Sequence, residues 1–258
     1  MPVKRFRRMR RRKILAAIAP HLFSLSAIAA QAADSTQYDR CLAMTESNPS
    51  LALSQSVSWA KAGGGGAAEH CTALALIAMR RFSEGATRLD MLARSPFAAT
   101  NASLREALWD QAGNAWLLGS RPDSAIVSFT GALAIDPLNA DVLSDRARAH
   151  AMKQNWAKAE SDLSAALMVS PARADLFVLR GSARHAMGRK PEAKADFDAA
   201  LRIQPRNADA LVERGVVRLE SGDSVGARAD WQAAISIAPG SAAAQSAQLH
   251  LADTTPTP

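Results

Sequence analysis

Two cysteines in 258 residues, neither of them in a CxxC pair, leave no cysteine-built metal site and no dithiol redox motif. Histidine is sparse too, with five in the chain, of which His21 lies in the N-terminal apolar stretch. His70, His150, His185 and His250 stand at unrelated spacings, with no HExxH and no Cys/His cluster. The chain also lacks GxSxG, a dinucleotide fingerprint and a phosphate loop; the glycine run 63–66 is without the lysine and preceding strand such a loop needs. Persistent strand alternation is absent. The apolar stretch "ILAAIAPHLFSLSAIAA" is interrupted by Pro20 and His21, which makes it a poor permanent membrane anchor. These absences argue against an enzyme, a cofactor and a bound metal.

Acidic residues are missing from the chain before Asp34, and this decides how its charge is read. A net charge of +7 and a pI near 10.0 suggest nucleic acid or an anionic membrane when taken whole. The excess is local: Lys4, Arg5, Arg7, Arg8, Arg10, Arg11, Arg12 and Lys13 precede every acid. Without those eight of the 31 basic residues, the remainder balances the 24 acidic ones to within one charge. The basic run leads into the apolar stretch and then into small residues, the order of a secretory leader. Ala30-Gln31-Ala32 is the preferred cleavage signal, giving a mature chain from Ala33; Ala27-Ile28-Ala29 is the alternative. A basic arm for nucleic acid is the competing reading, but such arms rarely run into a long apolar segment. Arg11-Arg12-Lys13-Ile14-Leu15 weakly resembles a twin-arginine signal without its preceding Ser or Thr, so the export route stays open.

Prolines at 137, 171, 205 and 239 are spaced by 34 residues, and they bring other positions into phase. Twelve residues before each lies Ala125, Ala159, Ala193 or Ala227; eight before lies Phe129, Leu163, Phe197 or Trp231. Five before lies Ala132, Ala166, Ala200 or Ala234. Upstream a small residue recurs as Gly113, Ala147, Gly181 and Gly215, four after Trp109, Leu143, Phe177 or Leu211. This period and these residue types resemble the tetratricopeptide repeat. The resemblance implies an all-α fold, an α-solenoid of paired helices A and B. Small residues let the two backbones approach, and one large residue on B fills the space beside them. Gly188 and Gly222 suit the turn between A and B, while Asn139 and Asn207 suit caps for the A helices that follow.

The resulting organisation is a leader over 1–32, divergent helical pairs over 33–102, four repeats over 103–239, and a capping helix with a loose tail over 240–258. Within the divergent part the pairs are read as 35–46 with 49–62, and 67–79 with 83–93. Arg146, Arg180 and Arg214 each have an aspartate sixteen residues later (Asp162, Asp196 and Asp230), whereas the first repeat has Ala112 and Ser128 at those places. An intra-repeat salt bridge is the natural reading.

In the family the concave face is lined by outward residues of the A helices. Carried onto this chain by alignment, they are Asp110, Asn114, Leu117, Ser144, Arg148, Met152, Val178, Ser182, His185, Val212, Val216 and Leu219. This set does not match the Lys/Asn/Arg clamp of chaperone-binding relatives, because Asp110, Asp145 and Asp175 stand where that clamp has positive or amide groups. A protein or peptide with apolar anchors fits better. An exported chain with two cysteines suggests one disulfide, Cys41–Cys71, across adjacent A helices; two buried thiols are the alternative. The expectation is an exported, non-enzymatic adaptor in the periplasm or outside the cell, possessing no stable membrane anchor once the leader is removed. It would serve envelope assembly or secretion. An accessory subunit of an envelope enzyme complex and a cytosolic nucleic-acid-binding protein are the competing classes.

Overall fold

The computed structural model describes residues 32–253, with side chains from Thr36 onward; the leader up to residue 31 and the tail after Asp253 lie outside the described residues. Among the described residues the chain is all-α, with fourteen helices and no strand. They are α1 (Ala32–Ser47), α2 (Pro49–Lys61), α3 (Gly65–Ala78), α4 (Phe82–Ala93), α5 (Pro96–Ala99), α6 (Ala102–Leu118) and α7 (Pro122–Leu133). There follow α8 (Ala140–Met152), α9 (Trp156–Val169), α10 (Ala174–Ala186), α11 (Lys190–Ile203), α12 (Ala208–Glu220), α13 (Ser224–Ile237) and α14 (Ala242–Asp253). None is long and apolar enough to cross a membrane. The chain forms two compact units that divide within α8, at residue 149.

Local chemistry sets the helix ends. The four phased prolines lie just past the B helices α7, α9, α11 and α13, where a residue without an N–H cannot extend the ladder. Asn207 Oδ1 accepts from the N–H of Ala210 at 2.9 Å, and Asn139 Oδ1 from those of Asp141 and Val142 at 3.1 and 3.2 Å. Asn48 and Asn101 cap α2 and α6 in the same way. Gly188 and Gly222 turn between A and B with φ of +76° and +88°. Ser120 and Gln154 take the same left-handed turn in their repeats, although their side chains disfavour it.

In the C-terminal unit each helix from α9 to α14 packs against the next. Ala193, Phe197 and Ala200 of α11 are fully buried, as are Ala227, Trp231 and Ala234 of α13. The glycines of the A helices explain how such large rings fit. A Cβ on Gly181 would lie 2.6 Å from the Phe197 ring, and one on Gly215 would lie 2.4 Å from Trp231 Nε1. The Trp231 indole N–H, deep in the core, donates to the carbonyl of Val212 at 3.2 Å.

The N-terminal unit repeats the device with variations. Phe129 of α7 sits over Gly113 of α6, 2.5 Å from where a Cβ would be, and Trp109 sits over Gly131 at 2.8 Å. The glycine run 63–66 serves the fold. Gly63 and Gly65 adopt φ of +96° and +53°, while Trp59 and Phe97 press on Gly64 and Gly66 at 2.4 and 2.2 Å from an added Cβ. Cys41 of α1 and Cys71 of α3 form a disulfide with a Cα–Cα distance of 6.2 Å.

Gly215→Ala should destabilise the protein by about 1–3 kcal/mol, because the added methyl overpacks the Trp231 contact. At the corresponding places Ala147 goes with Leu163, a smaller residue than the rings that accompany glycine. Adding Trp231→Leu to Gly215→Ala should therefore cost less than the two single changes together, measured by urea denaturation.

Candidate peptide-binding face

The arginine–aspartate pairs form the best-defined polar arrangement of the C-terminal unit. Arg180 holds Asp196 with two hydrogen bonds, Nε to Oδ2 at 3.1 Å and Nη2 to Oδ1 at 2.8 Å. Arg214 holds Asp230 in the same fork at 2.9 and 2.6 Å. A second arginine one turn later reaches each carboxylate: Arg184 to Asp196 and Arg218 to Asp230, both at 2.9 Å. In the preceding repeat, His150 Nε2 lies 4.0 Å from Asp162. These partners were not anticipated from the sequence, although Arg184 and Arg218 are 34 residues apart and so in phase.

Each repeat arginine also reaches back sixteen residues, to the preceding B helix. Arg180 Nη1 donates to Ser164 Oγ at 3.3 Å, and Arg214 Nη1 to Asp198 Oδ1 at 2.8 Å. In the N-terminal unit Arg146 Nη1 donates to Thr130 Oγ1 at 3.3 Å. The pairs are thus intra-repeat bridges that also tie neighbouring repeats. Where the first repeat has Ala112 and Ser128, the carboxylate comes from α4 instead: Asp90 accepts the Ser128 hydroxyl at 2.7 Å and the Trp116 indole N–H at 2.9 Å. Burial acts to raise the carboxyls of Glu160 and Asp198, yet their ion pairs outweigh it and hold both below the ordinary range. Arg184 and Arg189 do this for Glu160, Lys194 and Arg214 for Asp198.

With the arginines engaged on the B side, the opposite side of the A helices carries the expected lining residues. In the C-terminal unit that side holds Ser182, His185, Val216 and Leu219 with accessible surface, Leu219 the most at 36%. Met152 is half-buried. Two expected lining residues are core instead. Val212 has no exposure and packs with Trp231 and Ala243, and Val178 at 9% packs with Phe197, Ala200 and Val217. Close approach of successive A helices draws these positions inward. His185 Nε2 meets Glu220 Oε2 of α12 at 3.0 Å, and Lys190 Nζ meets the same oxygen at 3.2 Å. Burial would raise the Glu220 carboxyl, but these two partners hold it below the usual carboxylate range. Glu220 was missed from the sequence because it follows the aligned position by one residue.

In the N-terminal unit, Asp110, Asn114 and Leu117 of α6 are half-buried, and Asn114 Nδ2 donates to the Asp110 carbonyl and Oδ1 at 3.1 and 3.0 Å. Arg148 is committed to Asp145 on its own helix. Ser144 is only 1% exposed, so its hydroxyl has no surface to offer a ligand. Asp145 and Asp175, which set this face apart from a carboxylate clamp, are paired with Arg148 and Arg173.

At the beginning of the same unit a hydrogen-bonded run crosses three helices. The Tyr38 hydroxyl of α1 meets His70 Nδ1 of α3, and His70 Nε2 meets Gln111 Oε1 of α6 at 2.7 Å. Since the amide oxygen accepts only, Nε2 carries the proton of the neutral ring, and Nδ1 accepts from Tyr38. Burial depresses the His70 pKa, partly offset by the Gln111 bond, and burial raises that of Tyr38.

Residues 178–242 match the family model for the tetratricopeptide repeat. No curated protein matches the chain. Among solved structures, MamA is similar over 64% of this chain and 93% of its own, with 16% identity and a TM-score of 0.57. YrrB, described as a tetratricopeptide-repeat protein with an unusual peptide-binding site, is similar over 72% of this chain and 91% of its own, with 20% identity and a TM-score of 0.57. Residues 178–242 are thus tetratricopeptide repeats, and the phased helix pairs and ring-on-glycine contacts give the chain the fold of that family.

Arg180→Ala and Asp196→Ala should each destabilise, and the double mutant should cost less than their sum by about 1–3 kcal/mol; strict additivity in denaturation would mean the side chains do not interact. His70 supplies a pH dependence. Its folded pKa lies below the ordinary 6.5, so the unfolded chain protonates first. Stability is complete above that value and falls as the pH drops below it. Glu160 and Glu220 contribute at lower pH, losing their effect below the ordinary 4.5. Melting temperatures from pH 7.5 down to 5 should decline in the wild type, and His70→Gln should flatten that decline (about 1.4 kcal/mol per pKa unit removed).

Proposed function

We propose that this protein is an exported, non-catalytic scaffold that holds a protein or peptide segment on the concave side of its A helices, in cell-envelope assembly or secretion. The observation that carries the proposal is the division of labour on the A helices. Arg180, Arg184, Arg214 and Arg218 are consumed by carboxylates of the B helices, which leaves an aliphatic surface at Val216 and Leu219 beside Ser182 and His185. Such a face suits a ligand with an apolar anchor flanked by groups that accept or donate hydrogen bonds. YrrB, of similar fold, has a peptide-binding site, which supports the class of partner. Export rests on the order of basic, apolar and small residues before Ala33. The envelope role is drawn by analogy with the repeat family.

A photo-crosslinker at Leu219 in intact cells should capture a partner. Leu219→Asp should weaken the captured complex about tenfold, the loss of one apolar anchor, and Leu249→Asp on α14 should leave it unchanged. A partner bound equally well by both variants would remove the face from the proposal. The chain recovered from cells should begin at Ala33 or Ala30 and fractionate outside the cytoplasm; intact Met1 on abundant soluble cytosolic protein would end the export reading.

A further inference from the structure

Helix α1 buries less of itself than the helices it packs on. Of residues 36–47 only Cys41 and Thr45 are buried, with Tyr38, Leu42 and Met44 half-buried. Its neighbour α3 buries Ala68 and the unbroken run from His70 to Leu76. A helix of this length whose residues 36–47 bury so little is marginal by itself in water. The Cys41–Cys71 disulfide and the hydrogen bond between Tyr38 and His70 join α1 to α3. The covalent link holds the helix at its docking site at high effective concentration, an advantage that a single hydrogen bond cannot replace.

We infer that the Cys41–Cys71 bond is a redox latch: reduction by a dithiol frees α1 from the stack, leaves α2–α7 folded, and uncovers the face of α3 bearing Cys71 and His70. Cys71 has no exposure and Cys41 only 5%, so reduction proceeds through brief local openings around the sulfurs, and full release of α1 follows once the bond is cut. A thiolate of the dithiol then bonds to one cysteine sulfur and the other leaves as a thiolate. The second thiol of the reductant displaces the first cysteine and closes the reductant's own disulfide. Two electrons and two protons pass to the protein, which ends with two thiols. Release is local because the remaining helices keep their own contacts. Thr72 stays bonded to Ser56 of α2, and His70 keeps Gln111 of α6.

The test is hydrogen exchange by mass spectrometry on the full mature chain, oxidised and after dithiothreitol, together with Cys41→Ser and Cys41→Ala. Amides within 41–47 should lose protection about 100-fold on reduction and in both variants, while peptides from α3, α4, α6 and α7 stay within about threefold. Unchanged protection of α1 in the reduced chain would overturn the latch, and so would concerted loss of protection across α3 and α6. Tyr38→Phe with the disulfide intact should keep α1 protected to within about tenfold; release of the helix in that variant would show that the hydrogen bond, and not the disulfide, is the latch.

Discussion

The fold depends on one steric arrangement, a large ring from a B helix seated where an A helix has no side chain. Phe129 on Gly113, Phe197 on Gly181 and Trp231 on Gly215 repeat it along the chain. Burying a ring stabilises it by removing apolar surface from water, and this requires the two backbones to come closer than any Cβ between them would allow. The flanking alanines, such as Ala193 and Ala200, are completely buried for the same reason. Trp59 and Phe97 use the contact outside the regular repeats, which turns an otherwise puzzling glycine run into packing surface.

Close approach brings polar groups together as well, and the arginines resolve the consequence. Asp196 and Asp230 are almost wholly buried, a position tolerable for a carboxylate only with charged hydrogen bonds around it. Each receives two arginines, and the repeat arginine spans to the B helix before it. The bridges therefore join repeats to one another as well as A to B. A repeat array is stable through contacts between neighbours, so a side chain that serves both interfaces couples them. By occupying the arginines on one side, the network also determines what the opposite side of the A helices can present.

The first helices obey the same physics with different means. They lack the regular alanine and aromatic set, and α1 contributes few buried residues. A disulfide and a run of hydrogen bonds through a neutral histidine supplement the sparse packing of α1. Covalent closure of a loop lowers the entropy of the unfolded chain, a gain that does not depend on how many native contacts α1 makes.

Much of this could be read directly from residue order. A 34-residue phase of proline, alanine and aromatic determined the helix pairs, because each position has one steric role that few residue types fill. Asn139 and Asn207 as caps, Gly188 and Gly222 as turns, and the pairing of Arg180 with Asp196 and Arg214 with Asp230 followed from local rules and spacing. The candidate face was legible only in outline. Whether Val178, Val212 and Ser144 look outward depends on how closely successive A helices pack, a distance that spacing along one helix does not encode. The partners of His70, the second arginine on each aspartate, and the transfer of a carboxylate to Asp90 likewise involve groups distant in sequence. Residue order determined which elements form and what each repeat position must hold; three-dimensional packing alone decided which side chains keep a surface and which polar groups meet, because burial is a property of neighbours.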